Sequence, residues 1–181
     1  MQAMTSRRHR ERGGSSLFEF VMVGIPIIFV LLSTFEIARG MWTYQTLGYS
    51  VKRGVRYAIV HGFNCTQNGN SCTVTIGQIA GVIQSASLGL DTTKMNLTFT
   101  PNSGSAVTCS LGSAPGLTNG CLSNTTVWPP SGANSPGMSV SINAQYPFNS
   151  MIAMFWPGAR GGPMKFTSVN FGASSNDLMQ F

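Results

Sequence analysis

A run of sixteen residues without a charged side chain, Phe20 to Phe35, limits what this chain can fold into more than any other feature. Coiled as an α-helix it spans about 24 Å, somewhat less than the roughly 30 Å hydrocarbon core of a bilayer. Leu17 and Phe18 lengthen it at the front, and Glu19 and Glu36 can reach toward the two interfaces. The run can therefore cross a membrane once, without slack. Just before it, Arg7, Arg8, Arg10 and Arg12 crowd together, followed by Gly13 and Gly14. Glu19 is the anomaly. A charged side chain at the membrane centre costs about 2.5–3.5 kcal/mol on insertion scales, and such groups usually mark function.

Three readings compete for this segment. A secretory signal peptide needs small residues at a cleavage site, whereas "STFEIARG" supplies Phe, Glu and Arg. A plain signal anchor explains the arginines and the apolar run but leaves Glu19 as an unexplained cost. The third reading accounts for all of it: Gly14 closes a basic leader and Glu19 is the fifth residue after it. This arrangement resembles the type IV prepilin signature. The resemblance implies a membrane-embedded peptidase that cuts between Gly14 and Ser15 on the cytoplasmic side. The cut would remove four arginines and one glutamate and leave a mature chain of +3 out of the original +6. The new Ser15 amine is then a cation for Glu19 of a neighbouring subunit. An ion pair in low dielectric offsets the desolvation of a lone carboxylate and lends register to assembly.

The positive charge is concentrated at the front. Residues 1–56 hold eight Lys/Arg against three Glu, whereas the other 125 residues hold three Lys/Arg against two Asp. A nucleic-acid surface needs a basic patch interleaved with aromatics; the distal region lacks one, so no nucleic-acid partner is expected. Only 9% of residues are charged while glycine, Ser, Thr and Asn abound. That composition suits an extracytoplasmic domain with β-structure and uncharged loops better than a cytosolic enzyme.

Helical spacing continues past the apolar run. Leu47, Val51, Val55 and Ala58 fall on one stripe, with Gln45, Lys52, Arg53 and Arg56 opposite and Gly62 as a C-terminal stop. Trp42 and Tyr44 suit an outer membrane–water interface, and Glu36 and Arg39, three apart, can pair at that boundary. Gly24, Pro26, Gly40, Gly48 and Gly54 predict kinks. The segment "FEF…IP…LL…FEIARG.W.YQTL…KRGVRYA" resembles the N-terminal part of TadE-like proteins, the pseudopilins of the tight adherence (Flp pilus) system. The matching positions are Glu19, Phe20, Pro26, Glu36, Arg39, Tyr44, Gln45, Leu47, Arg53, Gly54, Arg56, Tyr57 and Ala58. The likeness covers about residues 13–60. It implies a minor pilin or assembly factor whose partners are other pilin subunits, a prepilin peptidase and the membrane, with Glu19 and Phe20 serving assembly.

Beyond Gly62 the four cysteines, Cys65, Cys72, Cys109 and Cys121, indicate an oxidising compartment and up to two disulfides. Three connectivities are open; the local one, Cys65–Cys72 with Cys109–Cys121, requires the least chain movement. A zinc site with His61 fits no common ligand spacing. "TVTIGQIAGVIQSASLGLD" predicts a short amphipathic helix with Ile76, Ile79, Ala80 and Ile83 inward and Thr75 or Thr73 as cap. "KMNLTFTP", "AVTCS", "MSVSINAQYPF" and "MKFTSVNFGA" predict three or four antiparallel strands, with Met95, Leu97, Phe99, Met138, Val140, Ile142 and Ala144 inward. The cluster Met151, Ile152, Met154, Phe155 and Trp156 is expected to be core, Asp91 a turn or cap residue, and Asp177 part of a tail.

The expected class is α+β: a long N-terminal transmembrane helix packed on a small antiparallel β-sheet, pilin-like. Its parts are a leader (1–14), a transmembrane helix (15–36), an outer continuation (37–62) and a disulfide-bearing domain (63–181). Neither a carboxylate pair near a histidine nor a framed phosphate loop is present, so no catalytic residue, metal or cofactor is expected. The expected function is a pseudopilin or minor pilin in Flp-type pilus assembly, anchored in the bacterial inner membrane with its N-terminus inside and the C-terminal domain outside. The alternatives are a signal-anchored periplasmic binding module and a minor pseudopilin of a type II secretion system.

Overall fold

A computed structural model describes residues 13–61, 73–112, 120–151 and 168–180. Helix α1, Gly13–Ile59, is one α-helix of 47 residues with Pro26 inside it, about 70 Å of continuous rod. It ends before the expected Gly62, where the His61 N–H donates to the Ala58 carbonyl at 3.2 Å. Its two halves have different surroundings. From Ser16 to Phe35 no residue is buried. From Glu36 onward an inward stripe begins, taking in Glu36, Thr43, Leu47, Ser50, Val51, Val55 and Ala58. Thr43 and Ser50 can sit there because their hydroxyls donate to the carbonyls of Arg39 and Leu47, at 2.9 and 2.8 Å. The polar groups are thus satisfied within the helix itself.

Helix α2, Ile76–Ala86, starts at a capping box. The Gln78 N–H donates to Thr75 Oγ1 at 3.3 Å, and the Thr75 N–H donates to Gln78 Oε1 at 3.0 Å. These bonds satisfy donors that a helix start leaves orphaned. The expected inward set, Ile76, Ile79, Ala80 and Ile83, is fully buried. Asp91 caps a short 3₁₀ turn, Thr92–Lys94, by accepting from the Thr93 N–H at 3.2 Å. The Thr93 hydroxyl and the Lys94 ammonium hold the Asp91 carboxyl below its usual range, and Asp91 in turn raises Lys94.

Four strands follow: β1 Asn96–Pro101, β2 Val107–Ser110, β3 Ser139–Phe148 and β4 Val169–Leu178. They form one antiparallel sheet in the order β2-β1-β3-β4. Register places Leu97 opposite Ala144 and Phe99 opposite Ile142, so the inward residues of β1 and β3 share a face. With the inner stripe of α1, α2 and Trp128, they make one core. Trp128 meets Phe99 edge-on at 5.3 Å between ring centroids. Each such large side chain contributes about 1.5–3 kcal/mol on burial. Cys109 and Cys121 are bonded, with sulfurs 2.08 Å apart. The bridge pins β2 to the loop beyond it, worth about 3 kcal/mol for a loop near this size.

Some expectations change. The last strand is displaced toward the C-terminus and runs through "SSND", so Asp177 lies in β4 opposite Val140 rather than in a tail. As an edge strand, β4 leaves most of its side chains in solvent, and its polar residues show no alternation in sequence. Met151, expected in the core, is 63% exposed. Ile152, Met154, Phe155 and Trp156 lie outside the described residues, as do the leader to Arg12, Cys65 and Cys72.

Candidate membrane-proximal interface

The inward stripe of α1 begins with a carboxylate. Glu36 is buried to 9% exposure, and Arg39, one turn further on, lies 3.1 Å from its Oε2. The same guanidinium donates to the Asn149 carbonyl at 2.6 Å and stacks over the Phe148 ring, 4.5 Å from its centroid. One cation thus closes a charge on its own helix and grips the end of β3, under an aromatic cover that favours a cation electrostatically. Its Nε is buried without a partner. Above the pair, the rings of Phe148 and Phe171 pack against Gly40, 3.7 Å from where a Cβ would stand, which is ordinary van der Waals contact. Those two rings are 5.0 Å apart, and Tyr44 meets Phe171 edge-on at 6.2 Å. Between helix and sheet an apolar groove of about 460 Å³ opens outward, lined by Glu36, Ile37, Gly40, Met41, Tyr44, Phe148, Ser150, Val169 and Phe171.

The other expected site residues are placed as follows. Gly14 and Ser15 lie in the first turn of α1. Glu19 and Phe20 are exposed one turn later. Glu36 and Arg39 form the pair described above. Cys109 and Cys121 form the disulfide, well away from the groove. The imidazole Nδ1 of His61 is 2.7 Å from the Tyr57 carbonyl, and among the described residues no cluster of His, Cys, Asp and Glu could hold a metal ion.

Further along, the helix carries a close approach. A Cβ at Gly54 would stand 2.5 Å from Ile83 Cγ1, so glycine there is what allows α2 to cross α1. Lys52, Arg53 and Arg56 face away, exposed. Residues 14–56 match the family model described as TadE-like protein. The chain carries a TadE-like segment. The likeness of this segment supports a TadE-like protein of the Tad pilus system. No curated protein and no solved structure matches it. The TadE-like segment takes in the bare apolar half of α1, the Glu36–Arg39 pair and the Gly54 crossing, and stops short of α2 and the sheet. The bare half is long and apolar enough to cross a membrane, with only 6% of its most apolar stretch buried, and is compatible with single-pass anchoring.

Sequence reasoning did not foresee that Gly54 admits a close approach, whereas a Cβ at Gly40 would make only ordinary van der Waals contact and Gly24 and Gly48 have nothing within 4 Å of their Cβ positions. It also missed Phe148, Asn149 and Phe171. The nearest signal was "YPFN", an aromatic closing an alternating strand, which does not reveal the helix position it meets.

Proposed function

We propose that this protein is a non-catalytic, membrane-anchored minor pilin or pseudopilin that takes part in assembling an adhesive Flp-type pilus. The observation that carries the reading is the TadE-like helix whose apolar half, Ser16 to Phe35, has none of its residues buried. A surface of that kind needs lipid around it, or the same helices of other subunits. A prepilin peptidase cuts between Gly14 and Ser15, and the arginine leader keeps that end in the cytoplasm with the sheet outside. Ser15 and Glu19 are one helical turn apart. The amine freed by cutting one subunit can therefore neutralise the Glu19 carboxylate of a subunit packed beside it, which fixes the stagger between helices. Other pilin subunits and the peptidase are the partners, and the inner membrane is the place of assembly.

N-terminal sequencing of the protein recovered from membranes that contain a prepilin peptidase tests the processing step. A start at Ser15 is expected; a start at Met1 would reduce the protein to a tethered periplasmic module. The Glu19→Ala variant should insert and be cut at the wild-type rate yet lose pilus assembly, counted on cells by electron microscopy. Wild-type pilus numbers would remove Glu19 from the mechanism.

A further inference from the structure

The apolar run alone, at about 24 Å, is shorter than the hydrocarbon it must cross, by roughly 6 Å. The folded domain supplies what is missing. Beyond Phe35 the helix remains apolar on its outer side, with Ile37, Met41 and Trp42 about 60% exposed. The one ion pair in this stretch is closed on itself, capped by Phe148 and fastened to the Asn149 carbonyl. At the same height the domain presents apolar side chains on both flanks. On the sheet side, Met151 and Val169 are 63% and 56% exposed beside the apolar groove. On the other side is Leu88, 72% exposed, next to Gly89, whose Cβ position is 3.6 Å from Trp42 Nε1. From Phe20 to Met41 the helix measures about 33 Å, which matches the hydrocarbon thickness of about 30 Å, and Trp42 and Tyr44 then stand where aromatic belts form.

We propose that the lower rim of the domain, Leu88 on one flank and Met151 with Val169 on the other, is seated in the outer bilayer interface. The membrane then ends at Met41–Tyr44 rather than at Glu36, the Glu36–Arg39 pair lies within the apolar slab, and the groove takes the upper acyl-chain methylenes of a phospholipid. Lipid is the occupant because the rim continues a membrane-crossing surface, and because among the described residues the charges of that helix stretch, Glu36 and Arg39, are paired with each other. The inference rests on α1 spanning the membrane and not on leader cleavage.

The test uses the full chain in nanodiscs of phosphatidylcholine and phosphatidylglycerol, with p-benzoylphenylalanine placed singly at Val169, Leu88, Phe29 or Leu178. Leu178 is a control of similar exposure, 54%, on the far end of β4. After illumination, adducts are identified by intact mass. Phospholipid adducts at Val169 and Leu88 should approach those at Phe29 and exceed those at Leu178 by about tenfold, because only the former sites lie at the depth of the lipid chains. Equal lipid labelling at Val169 and Leu178 would overturn the proposal, as would chain-to-chain adducts at Val169, which would make a second copy the occupant. A chain that labels at Phe29 but not at the rim refutes the seating alone and leaves the pilin reading intact; absence of lipid at Phe29 refutes both.

Discussion

Arg39 serves three partners at once: a carboxylate three residues back, a backbone carbonyl 110 positions away and an aromatic ring. Removing it would strand Glu36, buried and charged, at the start of the core stripe. Arg39→Met should therefore cost about 1–3 kcal/mol, the penalty for leaving one buried partner unsatisfied. Adding Glu36→Gln should return a good part of that loss, since neither group then carries an unpaired charge. Denaturant unfolding of the full chain in detergent micelles measures both; equal losses for the single and double variants would show that Glu36 gains nothing from Arg39. The pair itself was legible in sequence from its i,i+3 spacing. Its grip on the end of β3 was not, because nothing in a linear pattern says which strand end will arrive beside a given turn of helix.

Between elements, the tightest constraint is the crossing of α1 and α2 at Gly54. Gly54→Ala places a methyl where the buried Ile83 already stands. Overpacking of this kind costs about 1–3 kcal/mol, against a gain of about 0.5–1 kcal/mol from replacing a mid-helix glycine. A net loss of about 1 kcal/mol is expected in thermal unfolding. Trimming the neighbour in Gly54→Ala/Ile83→Ala should bring the combined loss below the sum of the singles, the sign of direct coupling; strict additivity would place the two helices further apart than described. The elements were readable in proportion to how one-sided their burial is. Helix α2 and strands β1 and β3 each bury one face, and Ile76, Ile79, Leu97, Phe99 and Ile142 all repeat with the right period. Strand β4 has neighbours only on one edge, so "SSND" reads as loop until β3 is found beside it.

For the molecule as a whole, the core begins at Glu36 and owes nothing to the first half of α1. A fragment running from Phe35 to Phe181 should therefore fold in detergent-free buffer under oxidising conditions, with a near-UV circular dichroism spectrum like that of the full chain. Its unfolding free energy should match that of the full chain to within about 0.5 kcal/mol, the range of changes remote from any buried feature. A molten fragment would mean that the apolar half has contacts with the domain after all. Residues 14–56 carry the family likeness and the sheet lies outside it, a division that the physics accommodates. On the proposed reading, a helix that crosses lipid, passes its neighbours and admits α2 has many fixed positions, and a sheet that must only stay folded has few. The bond between Cys109 and Cys121 has one more implication. Cysteine pairs persist as crosslinks in oxidising compartments and are kept reduced in the cytosol, so under the proposed orientation this crosslink would be a chemical memory of the side on which the sheet closed.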